Sequence, residues 1–450
     1  MTSADSWLLV WTAVAVGGLV LLIAVLRLNA FVALVVTSLF VGAVSGMPLA
    51  AVARAFQDGV GATLGFIAVV IGLGTILGKM LAESGGAAVV AERMIAPVGR
   101  SRVHRAVAGA AFVVGLPVFF SVGLVLLAPI VFTLARREGL PLLLVALPLV
   151  TGLSASHGLV PPHPGPLAAV ERLGADMGAT IAWAIVIGLP TALLVGPLIG
   201  RSAAARLSVV AGPIAEQLSA GRGEHRRPGF GVTLGTILLP VVLMLLATLA
   251  GALFAEGDRL RTLVEFAGSP IVAMLIAVLV AFRVFGTACG RSRGEILRFT
   301  EECMAPVASV LLVVGAGGGF GRVLDAAEVD RAIAAAAGGW QLSPLLLGWI
   351  IAALLRIAVG SATVAIITTA SIVAPIAAAT PGTSAELLVI ALGAGSLIAS
   401  HVNDGGFWLV KEYFNLTVTQ TLTTWTVLET AISIIALAFV LLADGLTRLI

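Results

Sequence analysis

The chain has 450 residues, of which 59% are hydrophobic and only 11% are charged. A soluble domain carries roughly 25% charged residues, so a chain of mean hydropathy +1.12 cannot clothe itself in polar groups and must face lipid. The net charge of +3 and the pI near 9.4 come from Arg-rich loops, not from a basic stripe with interleaved aromatics, which excludes nucleic acid as a partner.

No Lys or Arg precedes the first apolar run, residues 7–26. It is longer than a signal-peptide core and no cleavage pattern follows it, so it is expected to stay as the first span. Runs 28–44 and 62–78 follow. Run 106–135 is too long for one span and carries Gly115 and Pro117 in its middle. Arg102 and Arg105 precede it and Arg136 and Arg137 follow it, which places both ends on the cytoplasmic side. The reading is a re-entrant helical hairpin with its tip at 115–121; a Pro-kinked pair of spans is the alternative. Runs 140–156 and 180–200 complete the first half, with a Pro- and Gly-broken element at 154–166.

Residues 201–228 hold Arg201, Arg206, Arg222, Arg226 and Arg227 and read as a cytoplasmic linker. Runs 230–254, 264–282 and 306–320 come next, then the over-long run 345–379, interrupted at 360–363. Run 387–400 ends in a second broken element at 399–406, and run 422–442 closes the chain. With Arg27 and the loop of Arg291, Arg293 and Arg298 also inside, both termini fall outside.

The two halves resemble each other at a nearly constant offset. Gly78-Lys79-Met80-Leu81 corresponds to Gly321-Arg322-Val323-Leu324, and Val114-Gly115 to Val359-Gly360. Ala128-Pro129-Ile130 corresponds to Ala374-Pro375-Ile376, and Ala155-Ser156-His157 to Ala399-Ser400-His401. The expected fold is therefore an all-α polytopic membrane protein with repeats at 1–200 and 229–450. Each repeat has about five spans and one hairpin, and the odd count inverts the second relative to the first. Inverted repeats with interrupted helices are the architecture of secondary transporters, with substrate held near the midplane.

The candidate residues cluster at the four interruptions. Arg356 lies inside an apolar run and can hold a carboxylate through two parallel hydrogen bonds; otherwise it snorkels. His157, His163 and His401 lie in the broken elements, where they can carry a proton; otherwise His157 and His401 pack by a hydrogen bond and His163 is solvated in an interfacial loop. Asp404, beside two glycines, is an ionisable group at membrane depth unless its loop is solvated. His157, His401 and Asp404 are thus the proton-coupling candidates. Ser121, Ser361, Thr363 and Asn403 offer hydroxyl and amide groups to a polyol, or, for Ser361 and Thr363, bond back to a helix carbonyl. Lys79 with Glu83 and Arg322 with Asp325 read as intrahelical pairs, and Gly315–Gly321 as a close-packing face, since it lacks the Lys-Ser/Thr of a phosphate loop. Cys289 and Cys303 have no His or Asp at ligand spacing, so no metal is expected, and no nucleophile motif points to an enzyme.

Four stretches carry a family resemblance. They are Gly72-Leu73-Gly74-Thr75-Ile76-Leu77-Gly78-Lys79-Met80-Leu81-Ala82-Glu83-Ser84-Gly85-Gly86, Pro161-Pro162-His163-Pro164-Gly165-Pro166, Arg356-Ile357-Ala358-Val359-Gly360-Ser361-Ala362-Thr363-Val364-Ala365 and Ser400-His401-Val402-Asn403-Asp404-Gly405-Gly406-Phe407-Trp408. The chain resembles the gluconate permeases, proton-coupled transporters of gluconate and related small hydroxy acids, over nearly its whole length. The resemblance implies a permease of the bacterial inner membrane that imports a small organic anion with a proton and uses no cofactor. It also implies an elevator-like motion in a homodimer. Family members also handle other sugar acids and D-serine. One position departs: Phe119-Phe120-Ser121-Val122-Gly123 has Ser121 where the family usually has Glu. That departure keeps open sodium coupling, or exchange of another anion or hydroxy amino acid.

Overall fold

In lipid the backbone must satisfy its own hydrogen bonds, so long apolar runs become helices. The computed structural model describes residues 3–99, 101–209, 226–329, 332 and 343–449. Most of the Arg-rich linker, with Glu216, Arg222 and Glu224, and also Arg100, lie outside the described residues. Within them are ten helices long and apolar enough to cross a membrane, and four shorter apolar ones: Ala30–Val44, Val103–Gly115, Pro344–Val359 and Ala385–Gly395. The described residues include no strand. Side chains such as Val186, Leu253, Leu279 and Leu442 are exposed on the outside of the bundle, where lipid replaces water.

Both over-long runs fold as helical hairpins. Val103–Gly115 turns at Leu116–Phe119 into Phe120–Glu138, and Pro344–Val359 turns at Gly360 and Ser361 into Ala362–Ala379. The first tip, residues 115–118, is buried in protein, as broken backbone at membrane depth must be.

The two broken elements form the centre. Leu142–Leu159 stops at Val160 and resumes as Pro164–Leu173, so the break is narrower than the sequence indicates. The chain 142–173 is 89% buried over its apolar window, against 17% for the first span. Ala385–Gly395, all buried from Leu387 on, gives way to an irregular segment before Gly405–Tyr413. The elements cross at two glycines: a Cβ on Gly393 would strike the Gly158 carbonyl, and one on Gly158 would lie 2.6 Å from Leu397.

The Gly-rich run packs closely, as its composition predicts. A Cβ on Gly319 would lie 2.6 Å from Phe56, and one on Gly318 would strike Thr63. Their partner helix, Leu49–Glu83, has 35 residues and begins well before the apolar run that marks it. Lys79 and Glu83 pair within it at 2.7 Å, as expected. Arg322 and Asp325 behave differently: Asp325 turns instead to Arg172 of the first half, at 2.6 Å. Outside the spans, Ser292 and Glu295 form a capping box on Arg293–Glu302. The Ser292 backbone amide, then its hydroxyl, holds the Glu295 carboxyl down at about 2.

Candidate substrate and coupling site

Arg356 sits in the last turn of the first helix of the second hairpin, where a cation suits the negative end of the helix dipole. Only 3% of its side chain is exposed, so its charge must be met locally. One guanidinium nitrogen donates to the Gly360 carbonyl and the other to Asp404 Oδ2 at 2.5 Å. The Nε donor is buried and has no partner among the described residues. Asp404 caps the helix Gly405–Tyr413 by accepting from the Gly406 amide at 2.9 Å, and it also accepts from the Ser400 hydroxyl.

His401 and Asn403 serve the same corner. His401 Nε2 and Asn403 Nδ2 both bond the Ile357 carbonyl, at 3.1 and 2.9 Å. They close the C-terminus of the hairpin helix, whose last carbonyls have no partner within it. Gly360 makes this possible: it has φ +77°, and a Cβ there would strike the Asn403 carbonyl. Ser361 caps Ala362–Ala379 by accepting from the Val364 amide at 3.4 Å. Thr363 lies against Gly165 of the first broken element. The second tip thus gathers Arg356, Asp404, His401, Asn403 and Ser361 in one place.

The first tip gathers the other two histidines. His157 Nδ1 and His163 Nδ1 lie 3.2 Å apart, and His163 Nε2 bonds the Gly115 carbonyl at 2.9 Å. Phe119 packs its ring against both imidazoles, with centroids 5.9 and 6.1 Å away. Ser121 stands apart from them. It lies in the first turn of Phe120–Glu138 and lines a cavity of about 510 Å³ with Thr75, Lys79, Glu83, Phe119 and Glu302. Phe119 and Thr75 also line a pocket of about 20 Å³ beside His163, too small for more than a water. At the first tip the Phe120 ring meets Trp425 of the last helix at 5.3 Å, and the charge of Arg356 at the second tip lies within electrostatic reach of His157.

Known proteins bear on this arrangement. A family model described as GntP family permease matches residues 7–446. The gluconate permease of Pseudomonas aeruginosa is 47% identical, over 98% of each chain. The high-affinity gluconate transporter of Escherichia coli is 45% identical, over 96% of this chain and 98% of its own. The chain belongs to the GntP permease family. A more distant relative, the D-serine transporter DsdX of Escherichia coli, is 39% identical over 96% of this chain and 97% of its own. Among solved structures, the Alcanivorax borkumensis YdaH transporter superposes with a TM-score of 0.65 at 19% identity, covering 92% of this chain and 97% of that one, a likeness of fold alone. The permease is thus a multi-pass membrane transporter and not an enzyme.

Several site groups of the permease escape the motif reading. Ser400 is held by Trp425 Nε1, which donates to its hydroxyl at 2.7 Å, and its carbonyl accepts from Thr426 at 2.5 Å. Trp425 and Thr426 lie in a π-helical turn, Leu422–Thr426, which rotates them toward the break. Thr368 and Thr369, past the second tip, are fully buried with hydroxyls unpartnered among the described residues. Glu429, one turn after Trp425, is 1% exposed. Its signal was plain: it is the only ionisable residue in run 422–442. The threonines had none, since hydroxyls that bond back to their own helix look the same in sequence.

Proposed function

We propose that this permease imports gluconate, or a related small hydroxy monocarboxylate, together with a proton across the bacterial inner membrane. Arg356 carries the reading. It is a buried guanidinium at a hairpin tip, with one donor unpartnered among the described residues, in a chain whose relatives at 45–47% identity are gluconate transporters. Carboxylate binding would be shared by Arg356 and the helix N-termini at Ala362 and Gly405. Ser361, Thr363, Asn403 and the buried hydroxyls of Thr368 and Thr369 would meet the sugar-acid hydroxyls.

Two inverted repeats, 1–200 and 229–450, supply alternating access in this reading, moving elevator-fashion within a homodimer. The recurrence of hairpin, broken element and long final helix in both halves supports it. The Arg-rich ends of the hairpin Val103–Glu138 and the linker face the cytoplasm, and both termini face outside.

Uptake of labelled gluconate into proteoliposomes tests the function. An inward proton gradient is expected to drive accumulation at zero membrane potential, because one proton with one monoanion moves no net charge. Absence of pH-driven uptake of gluconate, other sugar acids or D-serine would overturn it. Ser121 favours one competing reading, in which the hydroxyls and carbonyls at the tips hold Na⁺. Uptake that follows Na⁺ at fixed pH would select that reading.

A further inference from the structure

We propose that Glu429, on the last helix, carries the coupled proton, an inference that rests on proton symport as read above. Glu429 is 1% exposed, in the first turn of the helix Val427–Thr447 and inside the apolar span Val418–Thr447. Its Oε1 has no hydrogen-bond partner among the described residues. Its neighbours in the helix clasp the second break: Trp425 and Thr426 bind Ser400, and the Thr430 hydroxyl accepts from the Ala399 amide at 3.2 Å. Residues three and four apart share a helix face, so Glu429 points into the same corner as Arg356 and Asp404.

The groups around it are few. Ser154 of the first broken element lies beside its carboxyl group, and Arg356 and Asp404 are the charges within electrostatic reach. The packed helix Ala385–Gly395 carries only Glu386, which serves the Asp176 amide at its far end. Met177–Arg206 carries only Arg201 and Arg206, near its C-terminus. Leu142–Leu159, also packed on the last helix, carries only His157.

The other protonatable groups are committed. Asp404 is held by Arg356, Ser400 and the Gly406 amide. His401 is bonded to the Ile357 carbonyl, and His157 is paired with His163. Glu429 keeps an oxygen unpartnered among the described residues. The charge count then couples proton to anion. With Glu429 ionised, one Arg356 faces two carboxylates, and a bound substrate would add a third negative charge at low dielectric. A proton on Glu429 removes that excess, so anion and proton bind together. The step is proton transfer alone: a proton passes from water to a Glu429 oxygen on the acidic side and returns to water on the other, and no bond to carbon changes.

The test compares wild type with Glu429→Gln in proteoliposomes, reading both pH-driven gluconate accumulation and gluconate counterflow. One proton per monoanion sets a limit of about tenfold accumulation per pH unit. Glu429→Gln is expected to exchange gluconate at a reduced rate but not to accumulate it above the external level. Wild-type accumulation by Glu429→Gln would overturn the inference and leave proton symport standing. Failure of the wild type to respond to pH would instead reject symport itself. Should Glu429→Gln not reach the membrane, Glu429→Asp is read in its place. A displaced pH profile of accumulation supports the assignment, and an unchanged profile overturns it.

Discussion

Arg356 and Asp404 stabilise each other because neither is tolerated alone. A charge left behind when one partner of a buried pair is removed costs about 3–5 kcal/mol, whereas replacing both partners costs far less. Arg356→Ala and Asp404→Ala are therefore each expected to lower the melting temperature in detergent sharply. The double variant should recover much of that loss while all three fail to transport gluconate. A double variant no more stable than the worse single one would show that the two residues act independently. The sequence made both residues visible, one as the lone basic group in run 345–379 and the other beside two glycines. Their pairing was not visible, because partners 48 positions apart leave no local signal.

Interruptions were easier to find than to delimit. The second hairpin turns where Gly360 predicted, because that glycine supplies both a positive φ and the space for Asn403. The first broken helix runs on past Ser154 to Leu159 and stops where Val160 turns extended, before the Pro-rich restart at Pro164. The second break starts early, at Gly395, and Ala399 takes φ 48°, a conformation no propensity would assign to alanine. Two glycines separate strain from crowding. Gly46 has φ +83° with nothing near a Cβ, whereas Gly360 has φ +77° and the Asn403 carbonyl in the way. Gly46→Ala should cost about 1–2 kcal/mol and spare uptake. Gly360→Ala should cost more and abolish uptake, by pushing Asn403 and Asp404 away from Arg356. Equal effects of the two on thermal stability and transport would remove the tip from the site.

Across the whole molecule, Arg172 and Asp325 join the halves at a distance of 153 positions, through two hydrogen bonds of 2.9 and 2.6 Å. The spacing of Arg322 and Asp325 suggested a pair within one helix, and tertiary packing overrode it. A third bond, from Arg172 to the Gly321 carbonyl, ties the end of the first broken element to the Gly-rich helix of the second half. Both side chains are about a quarter exposed, so solvent screens the pair only in part. A two-pronged Arg–carboxylate contact fixes orientation as well as charge. Arg172→Ala and Asp325→Ala are each expected to lower the melting temperature by about 2–4 °C. The exchanged pair, Arg172→Asp with Asp325→Arg, should regain part of that loss, because it restores the charges but not the fit of the guanidinium against Gly321. If the halves slide past each other during transport, this contact must break in every cycle. Neutralising it should then speed gluconate counterflow even as it lowers stability. Slower counterflow in both single variants would mean that the contact holds through the cycle, and that the moving boundary lies elsewhere.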